Sequence, residues 1–170
     1  MEYILSGRVN DSGGHTIDFG AYSRYLDTIR DRLPPHVAAF AADERHFSLD
    51  APETLHDAWL MELAVREPAT GMRDESRVTE IEVRLLGAFH DRVHILQYTG
   101  VRRYEVVGCG VSGGHGDLYT HEVRLASDSV GLIHEYLFVF GARPLIEWSR
   151  LLIECADFTH EMLPRSQIAG

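Results

Sequence analysis

From Thr79 to Val139, and already at Leu55-His56-Asp57-Ala58-Trp59-Leu60, the chain reads as strands in which apolar side chains recur at every second position, the period that sends neighbours to opposite faces. The alternation predicts strands near 55–66, 78–87, 92–99, 101–107, 118–126, 131–140 and 149–157. In the second, Thr79, Ile81, Val83 and Leu85 alternate with Glu80, Glu82 and Arg84, the mark of a sheet with one wet face. In 131–140 both phases are apolar, Tyr136 and Phe138 on one and Leu137 and Val139 on the other, which places that strand centrally with both faces covered. The stretch 144–153 also fits helical spacing, through Leu145, Trp148 and Leu152, so strand and helix stay open there.

Ahead of the strands the period changes. Phe19, Tyr22, Leu26, Ile29 and Leu33 recur every three or four residues, with Arg24, Asp27, Arg30 and Asp31 between them, and Asp18 stands where a helix cap would. This amphipathic helix has to stop before Pro34-Pro35, and Pro35 can open a short second helix that carries Val37 and Phe40 inward. Residues 2–9 and 15–19 flank Asn10-Asp11-Ser12-Gly13-Gly14 and predict an opening hairpin, while 43–54 reads as irregular. The expectation is a single α+β domain over 1–170: an antiparallel, strongly curved meander with one amphipathic N-terminal helix packed on it.

Phase also locates candidate chemistry. Leu55, Trp59, Met61, Leu63 and Val65 would share one strand face, and Asp57 falls on it too. A charge placed there needs a partner. His121 is in phase with Tyr119, Val123 and Leu125, and His134 with Tyr136 and Phe138, so Asp57, His121 and His134 are expected to form one buried hydrogen-bonded group. It would be either an acid/base pair in a pocket or a polar staple that pins strand register. His115 and Asp117 complete the candidate binding residues. With His121 and Asp57 their spacing permits a metal, but neither a paired-histidine helix motif nor a cysteine pair supports one, and the reading favours no metal, no cofactor and no catalytic residue.

Composition narrows the classes. All 16 basic residues are arginine, which rules out a Schiff-base lysine, a Ser-Lys pair and a P-loop lysine. The net charge of −10 opposes binding to a phosphate backbone and favours a basic protein partner. No apolar run approaches the ~20 residues of a membrane span, and the start shows no basic leader, so a cytoplasmic location is expected, with Cys109 and Cys155 reduced. Gly108-Cys109-Gly110-Val111-Ser112-Gly113 matches the glycines of a dinucleotide loop, but a strand follows it instead of a helix, so it reads as a hairpin loop. Neither Ser112 nor Cys109 has the surroundings of a nucleophile.

Tyr25-Leu26-Asp27, Leu33-Pro34-Pro35-His36-Val37 and Leu55-His56-Asp57-Ala58-Trp59-Leu60, followed by Leu85-Leu86-Gly87, His90-Asp91-Arg92, His115-Gly116-Asp117-Leu118 with His121-Glu122-Val123, His134-Glu135 and Ile153-Glu154-Cys155-Ala156-Asp157-Phe158, resemble an uncharacterised group of small bacterial proteins over most of the chain. Such Leu-His-Asp β-domains are similar to immunity partners of bacterial toxins. The resemblance implies a non-enzymatic interaction module, an immunity-type inhibitor of a basic partner, and carries no active-site residues. The alternative is a small-ligand binder or metal-dependent enzyme using the Asp57 and His121 region.

Overall fold

The computed structural model describes residues 1–5, 18–108, 114–128, 130–141 and 147–168. It contains two short helices, α1 (Phe19–Ile29) and α2 (Pro35–Ala41), and eight antiparallel strands: β1 (Trp59–Arg66), β2 (Glu80–Leu86), β3 (Arg92–Thr99), β4 (Arg103–Val107), β5 (Asp117–Leu125), β6 (Leu132–Phe140), β7 (Glu147–Cys155) and β8 (Asp157–Pro164). No described helix is long and apolar enough to cross a membrane.

The strands form one open sheet in the order β4-β7-β6-β5-β1-β2-β3-β8, so two meanders, β1-β2-β3 and β5-β6-β7, are joined side by side and flanked by β4 and β8. The junction is narrow: β1 and β5 pair only at Trp59 and Asp117. At the far ends the chain doubles back. Gly100–Arg102 lead from β3 into β4 and Ala156 leads from β7 into β8, with Ala156 N donating to the Thr99 and Gly100 carbonyls. Gly100 takes φ +60, and a Cβ there would stand 2.8 Å from the Ala156 side chain, so this corner requires glycine. As a result, side chains of β3 and β8 meet those of β6: the Tyr98 and Phe158 rings lie 5.9 and 5.1 Å from the ring of His134.

One core fills the space between, built from Ile81, Val83, Leu85, Leu96, Tyr98, Val123, Leu132, Tyr136, Phe138, Leu151 and Ile153, with Tyr22, Leu26, Val37 and Phe40 from the helices. The expected architecture has one packed helix as the cover; the cover is shared by two short ones, the second being the one expected to open at Pro35, with Val37 and Phe40 buried. Helix α1 sits beside β5 where β1 diverges. Its Tyr22 hydroxyl accepts from Val123 N at 2.8 Å and its Tyr25 hydroxyl accepts from Leu125 N at 2.9 Å, so two side chains take the place of a missing neighbouring strand.

The outer face of β6 is covered by residues 1–5 instead of by a helix. Glu122 of β5, fully buried, accepts the backbone N–H groups of Glu2, Tyr3 and Ile4 at 2.9, 2.8 and 2.7 Å. Glu135 beside it meets the amino group of Met1 at 2.9 Å and Arg124 at 3.2 Å. Burial would raise the Glu135 pKa, but these two cations outweigh it and hold it below the ordinary glutamate value.

Residues 6–17 of the expected opening hairpin, the Gly108–Gly113 loop beyond Gly108, and 142–146 lie outside the described residues; Met1–Leu5 form no strand, and Phe19, expected at the end of the second hairpin strand, opens α1 with Asp18 as its cap. Within 144–153 the described part, from Glu147, is strand. β8 goes beyond the predicted strands.

Candidate functional site

The Leu55-His56-Asp57-Ala58-Trp59 segment does not run as strand up to Trp59. Leu55 to Ala58 is a turn, closed by Ala58 N donating to Leu55 O at 3.2 Å, and Asp57 adopts φ +63, a left-handed conformation that Asp tolerates better than most residues. Its carboxylate is 57% exposed and sits 2.9 Å from His56 Nδ1. The expectation of an inward Asp57 is therefore corrected. A second cause lies just downstream, where the β1–β2 register shifts between Leu60 and Glu62. That extra residue changes the phase, so Leu60 and Leu63 pack on the core while Trp59 and Met61 are exposed. Asp57→Asn is expected to change stability by less than about 0.5 kcal/mol, as for an ordinary surface site, and to leave the titration of His121 and His134 where it was. Chemical denaturation with histidine NMR checks both.

Of the five candidate residues the structure brings together two. His121 Nδ1 and His134 Nε2 are 3.1 Å apart and both rings are buried. His115 lies elsewhere, where its Nδ1 is 3.3 Å from Ser149 Oγ. Asp117 accepts from Trp59 Nε1 at 2.6 Å on the exposed side of the β1–β5 junction. The four residues whose spacing permitted a metal are thus dispersed, and among the described residues no three ligand-type side chains are placed to share an ion.

What surrounds His121 and His134 is a larger histidine cluster. His134 Nδ1 lies 2.8 Å from the Tyr98 hydroxyl and 3.2 Å from the Tyr136 hydroxyl, and the two hydroxyls bond each other. His94 Nδ1 of β3 is 3.0 Å from His160 Nε2 of β8. His46 comes from the 3₁₀ turn Glu44–Phe47, with its Nδ1 3.1 Å from Phe40 O and its ring 5.3 Å from that of His160. Phe40, on α2, inserts its ring among four of these imidazoles, those of His46, His121, His134 and His160, at 4.4–5.6 Å.

Burial dominates the electrostatics. It pushes His121 and His134 well below the ordinary imidazole range, and His46 lies below it too. His94 falls to about 3, from burial and then from its neighbour His160, and His160 falls to about 4. All five rings are neutral at pH 7. Cys155, also buried, is raised to about 12.

Sequence reasoning missed His46, His94, His160 and Tyr98. His94 shares its phase with Leu96 and Tyr98, and His160 with Phe158 and Met162, so alternation carried a signal for both. His46 lies in an aperiodic stretch that carried none. Comparison with known proteins found no matching family model, no matching curated protein and no matching solved structure.

Proposed function

We propose that this chain acts by contact and not by catalysis, as a protein-interaction module. The observation that carries the reading is the make-up of the central polar group. Five imidazoles and two phenols gather there, and among the described residues none of their hydrogen bonds runs to a carboxylate: Asp57 is turned outward, and Asp43 acts on His46 and His160 only through its charge. General acid–base work needs a group that titrates near the working pH within reach of a reactant, and burial moves these rings away from that range. The nearby thiol of Cys155 is equally unsuited to attack.

A contact surface is available at the sheet edge. Among the described residues β4 is hydrogen-bonded on one side only, and Tyr104, Val106 and Val107 are exposed there beside Trp148 of β7. An edge strand with apolar side chains suits the addition of a strand from a partner. The excess of 26 acidic over 16 basic residues points to a basic partner, and the resemblance to toxin-immunity-type β-domains points to an immunity-type inhibitor. Co-purification with the product of a neighbouring gene, at low and at high salt, tests this. The expected result is a complex that high salt weakens and that Val106→Pro on β4 weakens further. Absence of any salt-sensitive partner overturns the reading.

A further inference from the structure

Beside His121 a cleft of ≈ 240 Å³ is lined by Phe19, Phe47, Leu49, Tyr119, Thr120 and His121, together with His46 and His56. Its walls are largely aromatic: Phe19 and Phe47 meet edge to face at 5.1 Å, and Phe47 stacks on the His121 ring at 4.6 Å with 6° between the planes. Two buried polar atoms of this lining have no hydrogen-bond partner, His121 Nε2 and Thr120 Oγ1, on residues only 1% and 3% exposed. A buried orphan polar atom is unfavourable by about 1–3 kcal/mol, so His121 Nε2, left unpartnered on a residue that lines the cleft, needs an explanation.

Proton counting along the polar chain indicates what His121 can offer. Tyr98 and Tyr136 each carry one hydroxyl hydrogen. If one of these lies between the two oxygens, the other finds its acceptor in His134 Nδ1, the arrangement in which neither buried hydroxyl hydrogen is left without a partner. Nδ1 of His134 therefore bears no hydrogen, and in a neutral imidazole the hydrogen is then on Nε2. His134 Nε2–H donates to His121 Nδ1, which leaves His121 with its own hydrogen on Nε2. In that arrangement the two tyrosines set, through two imidazoles, an N–H donor on a residue that lines the cleft.

We propose that this cleft binds a small neutral molecule with a single-ring or similarly compact apolar body and one oxygen acceptor of the carbonyl type, received by His121 Nε2–H. The body fits between Phe19, Phe47, Leu49 and Tyr119, and the volume falls just below the range of about 300 Å³ and upward typical of larger ligands. Neutrality follows from the lining, which among the described residues holds no arginine, and from Asp57 beside His56. A carboxylate there would be desolvated without a counter-charge.

Three probes of one size separate the elements of this inference: acetophenone, ethylbenzene without the acceptor, and benzoate with a charge. Acetophenone is expected to shift the His121 side-chain nitrogen resonances and to bind roughly tenfold tighter than ethylbenzene, the ratio for one buried hydrogen bond. Benzoate is expected to bind more weakly than acetophenone. His121→Phe removes the donor but also breaks the bond to His134, so Leu49→Trp provides the independent variant. Leu49 is 63% exposed, and a tryptophan there should fill the cleft without disturbing the core. Loss of acetophenone binding in Leu49→Trp supports the site, and unchanged binding overturns it, as does equal affinity for acetophenone and ethylbenzene. Long-range nitrogen–proton NMR of the unliganded protein gives a further readout: both His121 and His134 should appear as Nε2–H tautomers, and an Nδ1–H signal from either defeats the relay.

Discussion

Lowering the pH from about 7.5 to about 5 is expected to destabilise the protein by several kcal/mol, well above the range where carboxylates usually cause acid unfolding. His46, His94, His121, His134 and His160 are all held neutral by burial in the folded state, whereas in the unfolded chain they titrate near 6.5. Below that value the unfolded state binds more protons, so the stability present above about pH 6.5 is lost as pH falls. The loss continues down to the folded-state values, about 4 for His160 and about 3 for His94. At pH 5 a single histidine of this kind removes ~2 kcal/mol, and two already remove ~4 of the 5–15 kcal/mol that hold a typical domain together. Glu135 and Glu82, whose folded-state values are lowered, contribute stability that is present above their unfolded values near 4.3 and is lost only at lower pH. Urea midpoints measured at several pH values separate the two ranges, and replacing His94 and His160 with leucine should flatten the upper one. A midpoint unchanged between about pH 7.5 and 5.5 would sink the account of neutral buried imidazoles.

The second large effect is expected at Glu122. Truncation to alanine leaves the N–H groups of Glu2, Tyr3 and Ile4 without an acceptor and leaves Arg124 short of one of its anions, at 3.5 Å. With a penalty of about 1–3 kcal/mol for each unsatisfied buried group, a loss of ~3–5 kcal/mol is expected after partial relaxation. Glu122→Gln keeps one acceptor oxygen and turns an amide donor toward the other N–H groups, so it should fall between alanine and the unchanged protein. Thermal unfolding gives the order of the three, and hydrogen exchange should show the Tyr3 and Ile4 amides losing protection first. An alanine variant within about 1 kcal/mol of the parent would mean that residues 1–5 are held by something else.

These two sites also show what the sequence discloses and what it hides. The strands were legible because Ile81, Val83 and Leu85, or His134, Tyr136 and Phe138, repeat with period two over several residues. The inward direction of His121 and His134 followed from the same alternation. Asp57 was misread because alternation assumes an unbroken strand, and here a turn ends at Ala58 and a bulge follows at Leu60–Glu62. Either feature alone undoes a phase argument. β8 escaped notice because its inward residues include His160 and Met162, too weakly apolar a series to stand out. Glu122 and Glu135 lie in the phase that faces outward, and beside Arg124 it is contact with residues more than a hundred positions away that gives them their other partners. The histidine cluster is assembled from β3, β5, β6, β8 and the turn after α2, and no local pattern encodes such a convergence.

The hydroxyls of Tyr22 and Tyr25 on the flank of β5 have a bearing on self-association. They occupy main-chain groups that would otherwise be open to a strand from another molecule. Helix α1 therefore acts as a guard, and any event that lifts it away would lay bare a β-rich, lysine-free template next to the narrowest join in the sheet, the place from which aggregates of this protein should grow.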